Sequence, residues 1–136
     1  MSENQECLFC QIVKKKRESY IIAENELVMA ILDVFPISDG HVLLVSKKHF
    51  ANIVEVDEES WSFFLSLLKI VVNELKKTFS PNGFNIISNI GKEAYQSIFH
   101  LHIHIIPKYE KDQGFIWSSQ PKLKYDLNQV MRKLKH

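Results

Sequence analysis

The chain has 136 residues, 46% of them apolar and 24% charged, with a formal net charge of +1. That length fits one domain, that composition fits a soluble globular protein, and the near-balance of charge argues against a broad nucleic-acid-binding surface. No apolar run approaches the roughly 20 residues that span a bilayer, and the polar start MSENQEC lacks the features of a secretory signal, so the cytoplasm is the expected compartment and neither membrane nor nucleic acid an expected partner.

In chain order, CLFCQIVKKK (7–16) sets Leu8 with Ile12 and Phe9 with Val13 at helical spacing and reads as a short helix with a basic end. LVMAILD (27–33) and HVLLVS (41–46) read as strands, and the turn formers of VFPISDG (34–40) join them as an antiparallel pair. The segment 56–79 is the clearest helix. Asp57 can cap it, Glu58 and Glu59 open it, and Lys76 and Lys77 close it. Its apolar residues cover more than one face, because Phe63, Leu67, Ile70 and Val71 widen the stripe of Trp61, Phe64, Leu65, Leu68, Val72, Leu75 and Phe79. A second copy of the chain or deep burial accounts for that width, and a dimer with this helix at the interface is the expectation. After the turn SPNG come a strand at 84–88, a loop at 89–97, a strand at 98–106, an irregular tail and a last amphipathic helix over 126–134. The pattern predicts one α+β domain over 1–136, with its core at about 7–110 and a tail and helix over 111–136.

Three of the six histidines, His100, His102 and His104, alternate along the segment 98–106. On a regular strand they share one face, while Leu101, Ile103 and Ile105 point into a core. Same-face neighbours lie about 6.5–7 Å apart, and the outer pair about 13 Å apart. A single metal site from these three alone is therefore geometrically poor, and the three are expected to divide their work. Cys7 and Cys10 form Cys-x-x-Cys, half of a tetrahedral zinc site. Two buried thiols or a redox pair remain as alternatives, although the redox reading wants a preceding strand. Asn89, Gly91, Gln96 and Ser97 stand in the loop before the histidines, where polar donors suit an oxyanion or phosphate. Ser97 could also be read as a nucleophile, but no G-x-S-x-G elbow surrounds it, and no Gly-rich phosphate loop is present.

The run His-Leu-His-Ile-His-Ile-Ile (100–106) fits the pattern His-φ-His-φ-His-φ-φ, with φ apolar. Together with CLFCQIV, LVMAILDVFPISDGHVLLVSKKH and YQSIFHLHIHIIPKY, in that order and spacing, it resembles the bacterial histidine triad proteins over residues 7 to 117. The likeness is to the branch related to the Hint nucleoside phosphoramidate hydrolases. The resemblance implies an antiparallel sheet of about five strands with one long helix, in a two-fold dimer. It implies purine nucleotide substrates, either phosphoramidates or dinucleoside polyphosphates, and reaction at the α-phosphate through a nucleotidyl-histidine. His102 becomes the nucleophile, with His104, Ser97 and Gln96 as its catalytic companions. Asp33, Asn89, Phe9, Val34 and His41 become substrate contacts, and Trp117 a tail residue directed at the partner subunit's site. Cys7, Cys10, His49 and His100 become ligands of a structural zinc, with no catalytic metal required. Many relatives carry Gly where this chain has Tyr95, which bears on how the loop holds the α-phosphate or selects the leaving group. Two rival readings stand beside this one: a zinc-stapled nucleotide-binding regulatory module with little turnover, and a hydrolase whose triad histidines hold a catalytic metal.

Overall fold

The computed structural model describes residues 7–135. Among the described residues, five strands and three α-helices follow one another: α1 (Leu8–Val13), β1 (Ile21–Glu24), β2 (Val28–Leu32), β3 (Val42–Ser46), α2 (Glu58–Phe79), β4 (Gly83–Ile87), β5 (His102–Lys108) and α3 (Leu127–Lys135). The strands form one sheet in the order β1-β2-β3-β5-β4, and every neighbouring pair is antiparallel.

The expected elements are present within a residue or two at most ends. β1 was not among them. Its Ile21 and Ile22 are adjacent and both exposed, and the register slips between Ile21 and Ala23. An irregularity of this kind removes the period-2 signal that marks a strand. The other difference is at β5, expected from residue 98 but paired only from His102. His100 therefore lies ahead of the strand, and its side chain is free of the strand's alternation.

The α2 helix begins where Asp57 accepts a hydrogen bond from the Ser60 N–H at 2.8 Å. It ends at Ser80, whose left-handed φ of 51° turns the chain while its N–H donates to the Lys76 carbonyl. Phe64, Leu67, Val71 and Leu75 of α2 pack on Val28, Ala30, Val42, Leu44, Ile103 and Ile105 of the sheet, with Leu101 beside them. Leu65 and Ile70, on the helix's other side, remain 56% and 60% exposed within the single chain. Gly40 allows the β2–β3 loop to approach this helix: a Cβ there, on a backbone of φ +88°, would lie 3.1 Å from Leu75.

The opposite face of the sheet carries a second core, in which Phe9 and Ile12 of α1 meet Met29, Ile31, Leu43 and Val45. Val45 pairs with His102, and Leu43 pairs with His104. Paired residues point to the same side of a sheet, so both histidines belong to the α1 face, opposite α2.

Candidate functional site

His102 and His104 stand side by side on β5, with ring centroids 5.2 Å apart. Phe9 lies edge-on to His102 at 5.0 Å and to His100 at 5.8 Å, and it is 3% exposed. Nδ1 of His102 is 2.7 Å from the carbonyl oxygen of His100. A carbonyl oxygen can only accept, so Nδ1 carries the proton and donates it. The Nε2 of His102 is then the lone-pair nitrogen. Burial holds the ring's pKa below its ordinary value, opposed by the His100 carbonyl bond and by the charge of Asp33. The ring is thus a neutral imidazole with an available lone pair.

Asp33, His41 and His104 form a hydrogen-bonded chain beside it. The Ile37 N–H donates to Nδ1 of His41 at 3.1 Å, so the proton of the neutral His41 ring sits on Nε2. That nitrogen lies 3.0 Å from Nδ1 of His104 and 3.4 Å from Oδ2 of Asp33. His104 accepts at Nδ1, which leaves an N–H at its Nε2. Burial, with His102 and His41 nearby, lowers the His104 pKa to about 4, against a smaller opposing effect of Asp33. Oδ1 of Asp33 also accepts from the Phe35 N–H at 2.9 Å, the turn-capping bond of a strand end.

A second group gathers on the other side of His100. Cys7, Cys10, His49 and His100 present donor atoms within 4.8 Å of one another. Nδ1 of His100 lies 3.1 Å from Nδ1 of His49, 3.4 Å from Sγ of Cys7 and 3.5 Å from Sγ of Cys10. A tetrahedral ion with ordinary bond lengths wants donors roughly 3.3–3.8 Å apart. Nε2 of His100 lies 2.7 Å from the Ser46 carbonyl and donates to it, which leaves Nδ1 as the lone-pair nitrogen facing the thiols. Chemistry and tautomer both suit a metal ion here. Asp33, His41 and His104 also lie within 4.8 Å of one another. That trio fits a metal badly, because freeing Nε2 of His41 would set an Nδ1–H against the Ile37 N–H.

The remaining expected site residues are distributed as follows. Asn89 is half-buried at the start of the loop, Ser97 is exposed near its end, Val34 is 63% exposed beside Asp33, and Trp117 is 82% exposed in the tail. Gln96 differs from the expectation of a side chain facing phosphate. It is 3% exposed, its Nε2 donates to the carbonyls of Ala51 and Ile98, and its Oε1 accepts from the Gly91 N–H. The amide is spent on backbone partners and shapes the loop. Sequence reasoning overlooked Ser46, Ala51 and Ile37, which orient His100, Gln96 and His41 through backbone atoms. Ser88 also went unnoticed, though its hydroxyl donates to the His102 carbonyl at 3.2 Å. Backbone groups carry no side-chain signature, so only Ser88 could have been suspected from its residue type.

An antiparallel sheet with a paired imidazole row, one ring bonded to the backbone carbonyl ahead of it, defines a histidine triad domain. The family model described as HIT domain matches residues 14–111, and the chain belongs to that family. A HIT-like protein of Mycoplasma genitalium is 44% identical over 109 residues, covering 80% of this chain and 77% of that protein. The adenosine 5'-monophosphoramidase hnt1 of Schizosaccharomyces pombe is 38% identical over 117 residues, 85% of each chain. The crystal structure of a HIT family protein from Bacillus anthracis superposes with a TM-score of 0.85 at 30% identity, over 98% of this chain and 95% of that one.

Proposed function

We propose that the protein is a nucleotidyl hydrolase acting at the α-phosphate of purine nucleoside phosphoramidates or dinucleoside polyphosphates. The observation that carries this reading is the bond from His102 Nδ1 to the His100 carbonyl, which leaves Nε2 as the ring's lone-pair nitrogen. That nitrogen attacks the α-phosphorus; the phosphorus–Nε2 bond forms as the bond to the leaving group breaks. The leaving group departs with the bonding pair and is protonated as it goes. Water then cleaves the phosphorus–Nε2 bond and releases the nucleoside monophosphate. The N–H of His104 and the hydroxyl of Ser97 steady the phosphate charge, with Asn89 beside them. Asp33 accepts from the ribose hydroxyls, while Val34 and Phe9 border the nucleoside and His41 holds His104. The S. pombe relative's name, a phosphoramidase, supports this class of substrate.

Cys7, Cys10, His49 and His100 hold a structural zinc, which staples α1 to the segment ahead of β5. Four protein ligands complete its shell and leave no position for substrate. The active species is a cytoplasmic homodimer. Exposed Leu65 of α2 and Ile86 of edge strand β4 border one apolar groove and supply its contact surface, and Trp117 reaches the partner subunit's site. Leu65→Asp should shift the species from dimer to monomer in analytical ultracentrifugation.

The test is incubation with adenosine 5'-phosphoramidate, with and without mild chelator, beside His102→Ala. Release of AMP that survives the chelator and vanishes in the variant is the expected result. Binding of AMP without turnover would instead identify a regulatory nucleotide-binding module. Turnover that depends on added metal would identify a metal-dependent hydrolase.

A further inference from the structure

Lys108 closes β5 on the same face as the histidine row. The pairing of β4 with β5 runs in unbroken register from Ile87 with His104 to Gly83 with Lys108, so His102, His104 and Lys108 point to one side of the sheet. Four residues of strand place Lys108 about 13 Å beyond His104. Its ammonium is committed to the backbone that follows. It donates to the carbonyl of Lys111, at 3.0 Å, and to the carbonyls of Gln113 and Phe115. A lysine ammonium has three N–H donors, so three carbonyls saturate it. The chain after β5 thus folds back around its own cation.

This turn touches the loop that holds His41. Gly114, at φ +71°, sits where a Cβ would lie 3.7 Å from Cγ2 and from the carbonyl oxygen of Ile37, and 3.8 Å from Cβ of Ser38. Those two residues are the ones that bind His41. The Ile37 N–H donates to Nδ1 of the ring at 3.1 Å, and the His41 N–H donates to the Ser38 carbonyl at 3.2 Å. The same loop is tied to the end of β5 twice more. The Ser38 hydroxyl donates to the Pro107 carbonyl at 2.7 Å, and the Tyr109 hydroxyl donates to the Asp39 carbonyl at 2.8 Å.

We propose that Lys108 is a positioning residue for the histidine row. By folding the 111–115 turn against Ile37 and Ser38, it steadies the N–H that selects the His41 tautomer, and through Nε2 of His41 it sets the tautomer of His104. The two rings can only change together, because the bond between Nε2 of His41 and Nδ1 of His104 needs one donor and one acceptor. The effect on turnover rests on the reading that the His104 N–H steadies the phosphate. The effect on the tautomers does not.

The test compares wild type with Lys108→Met, Lys108→Arg and Gly114→Val. Methionine keeps a long stem and removes the donors, and arginine restores charge and donors. Valine is disfavoured at a positive φ and acts on the turn without touching the ammonium. Long-range proton–nitrogen NMR at neutral pH reads the rings, and kcat/KM toward adenosine 5'-phosphoramidate reads the site. Lys108→Met and Gly114→Val should each bring up Nδ1–H signals for His41 and His104 together. These should be a minority, because Asp33 at 3.4 Å from Nε2 of His41 still favours the original form. His102, bonded to the His100 carbonyl, should keep its signal. In both variants kcat/KM should fall about 10-fold, and Lys108→Arg should recover most of the loss. Unchanged His41 and His104 signals in both variants overturn the proposal. A matching change at His102 also overturns it, since that reports general loosening. If wild type releases no AMP while the ring signals shift as expected, the hydrolase reading fails and the positioning role stands.

Discussion

His100 and His102 are protonated on opposite nitrogens, because each ring donates to a different carbonyl. His102 donates from Nδ1 to the His100 carbonyl, and His100 donates from Nε2 to the Ser46 carbonyl, both at 2.7 Å. One backbone unit thus connects the two rings: the residue whose side chain faces the thiols also sets, through its main chain, the tautomer of His102. Long-range proton–nitrogen NMR at neutral pH should find His102 as the Nδ1–H form and His100 as the Nε2–H form. An Nε2–H signal for His102 would remove the lone pair from that nitrogen and refute the arrangement.

The thiol and imidazole cluster makes its own prediction. Cys10 is buried, and its Sγ lies 3.1 Å from Nδ1 of His49. Cys10→Ser should abolish stoichiometric zinc in elemental analysis and destabilise the fold by about 3 kcal/mol or more, as loss of a metal ligand does. Stoichiometric zinc retained by the variant, with an unchanged melting temperature, would show that the four donors do not act as one site.

Gln96 should behave as a residue that shapes the loop. Truncation to Ala removes two donors and one acceptor from half-buried backbone partners and should cost about 2–3 kcal/mol. Gln96→Glu should be worse, because a carboxylate oxygen would face the carbonyls of Ala51 and Ile98. Chemical denaturation measures both. Because Ala51 follows His49 by two residues, the variants should also raise KM by loosening the segment that ends at the histidine row. An unchanged KM with unchanged stability would contradict this assignment.

Stability should fall as the solution is acidified from about pH 6.5 toward pH 4. His104 has its folded pKa lowered to about 4 by burial and by His102 and His41, with Asp33 opposing. Between the folded and unfolded values the unfolded chain binds more protons than the native one, so stability rises with pH across that window and is complete above it. His41, also shifted downward by burial, acts in the same direction. Urea midpoints from pH 4 to pH 7.5 should show this slope, and His104→Asn should make it shallower. An identical slope in the variant would show that the ring is not the titrating group.

Much of the site could be read from residue order, because its patterns are local. Alternation placed His102 and His104 together and sent Ile103 and Ile105 into the core. The Cys-x-x-Cys spacing on a helical turn brought two thiols to one point. The apolar stripe of 56–79 marked the helix that covers the sheet, and its excess width left Leu65 and Ile70 exposed. The resemblance to histidine triad proteins then implied separate roles for His100, beside the thiols, and for His102.

Periodicity could not reach the features that depend on partners far along the chain. The start of β5 at His102, the turning of His100 toward Cys7 and Cys10, and the inward amide of Gln96 were settled by groups 45 to 93 residues away. β1 was hidden by a local slip in its pairing. Sequence by itself determined which side chains could do acid, base and metal chemistry, since that follows from residue type and short spacing. Tertiary structure decided which nitrogen of each ring is free, because a tautomer is chosen by the carbonyl or N–H that packing brings within hydrogen-bond reach.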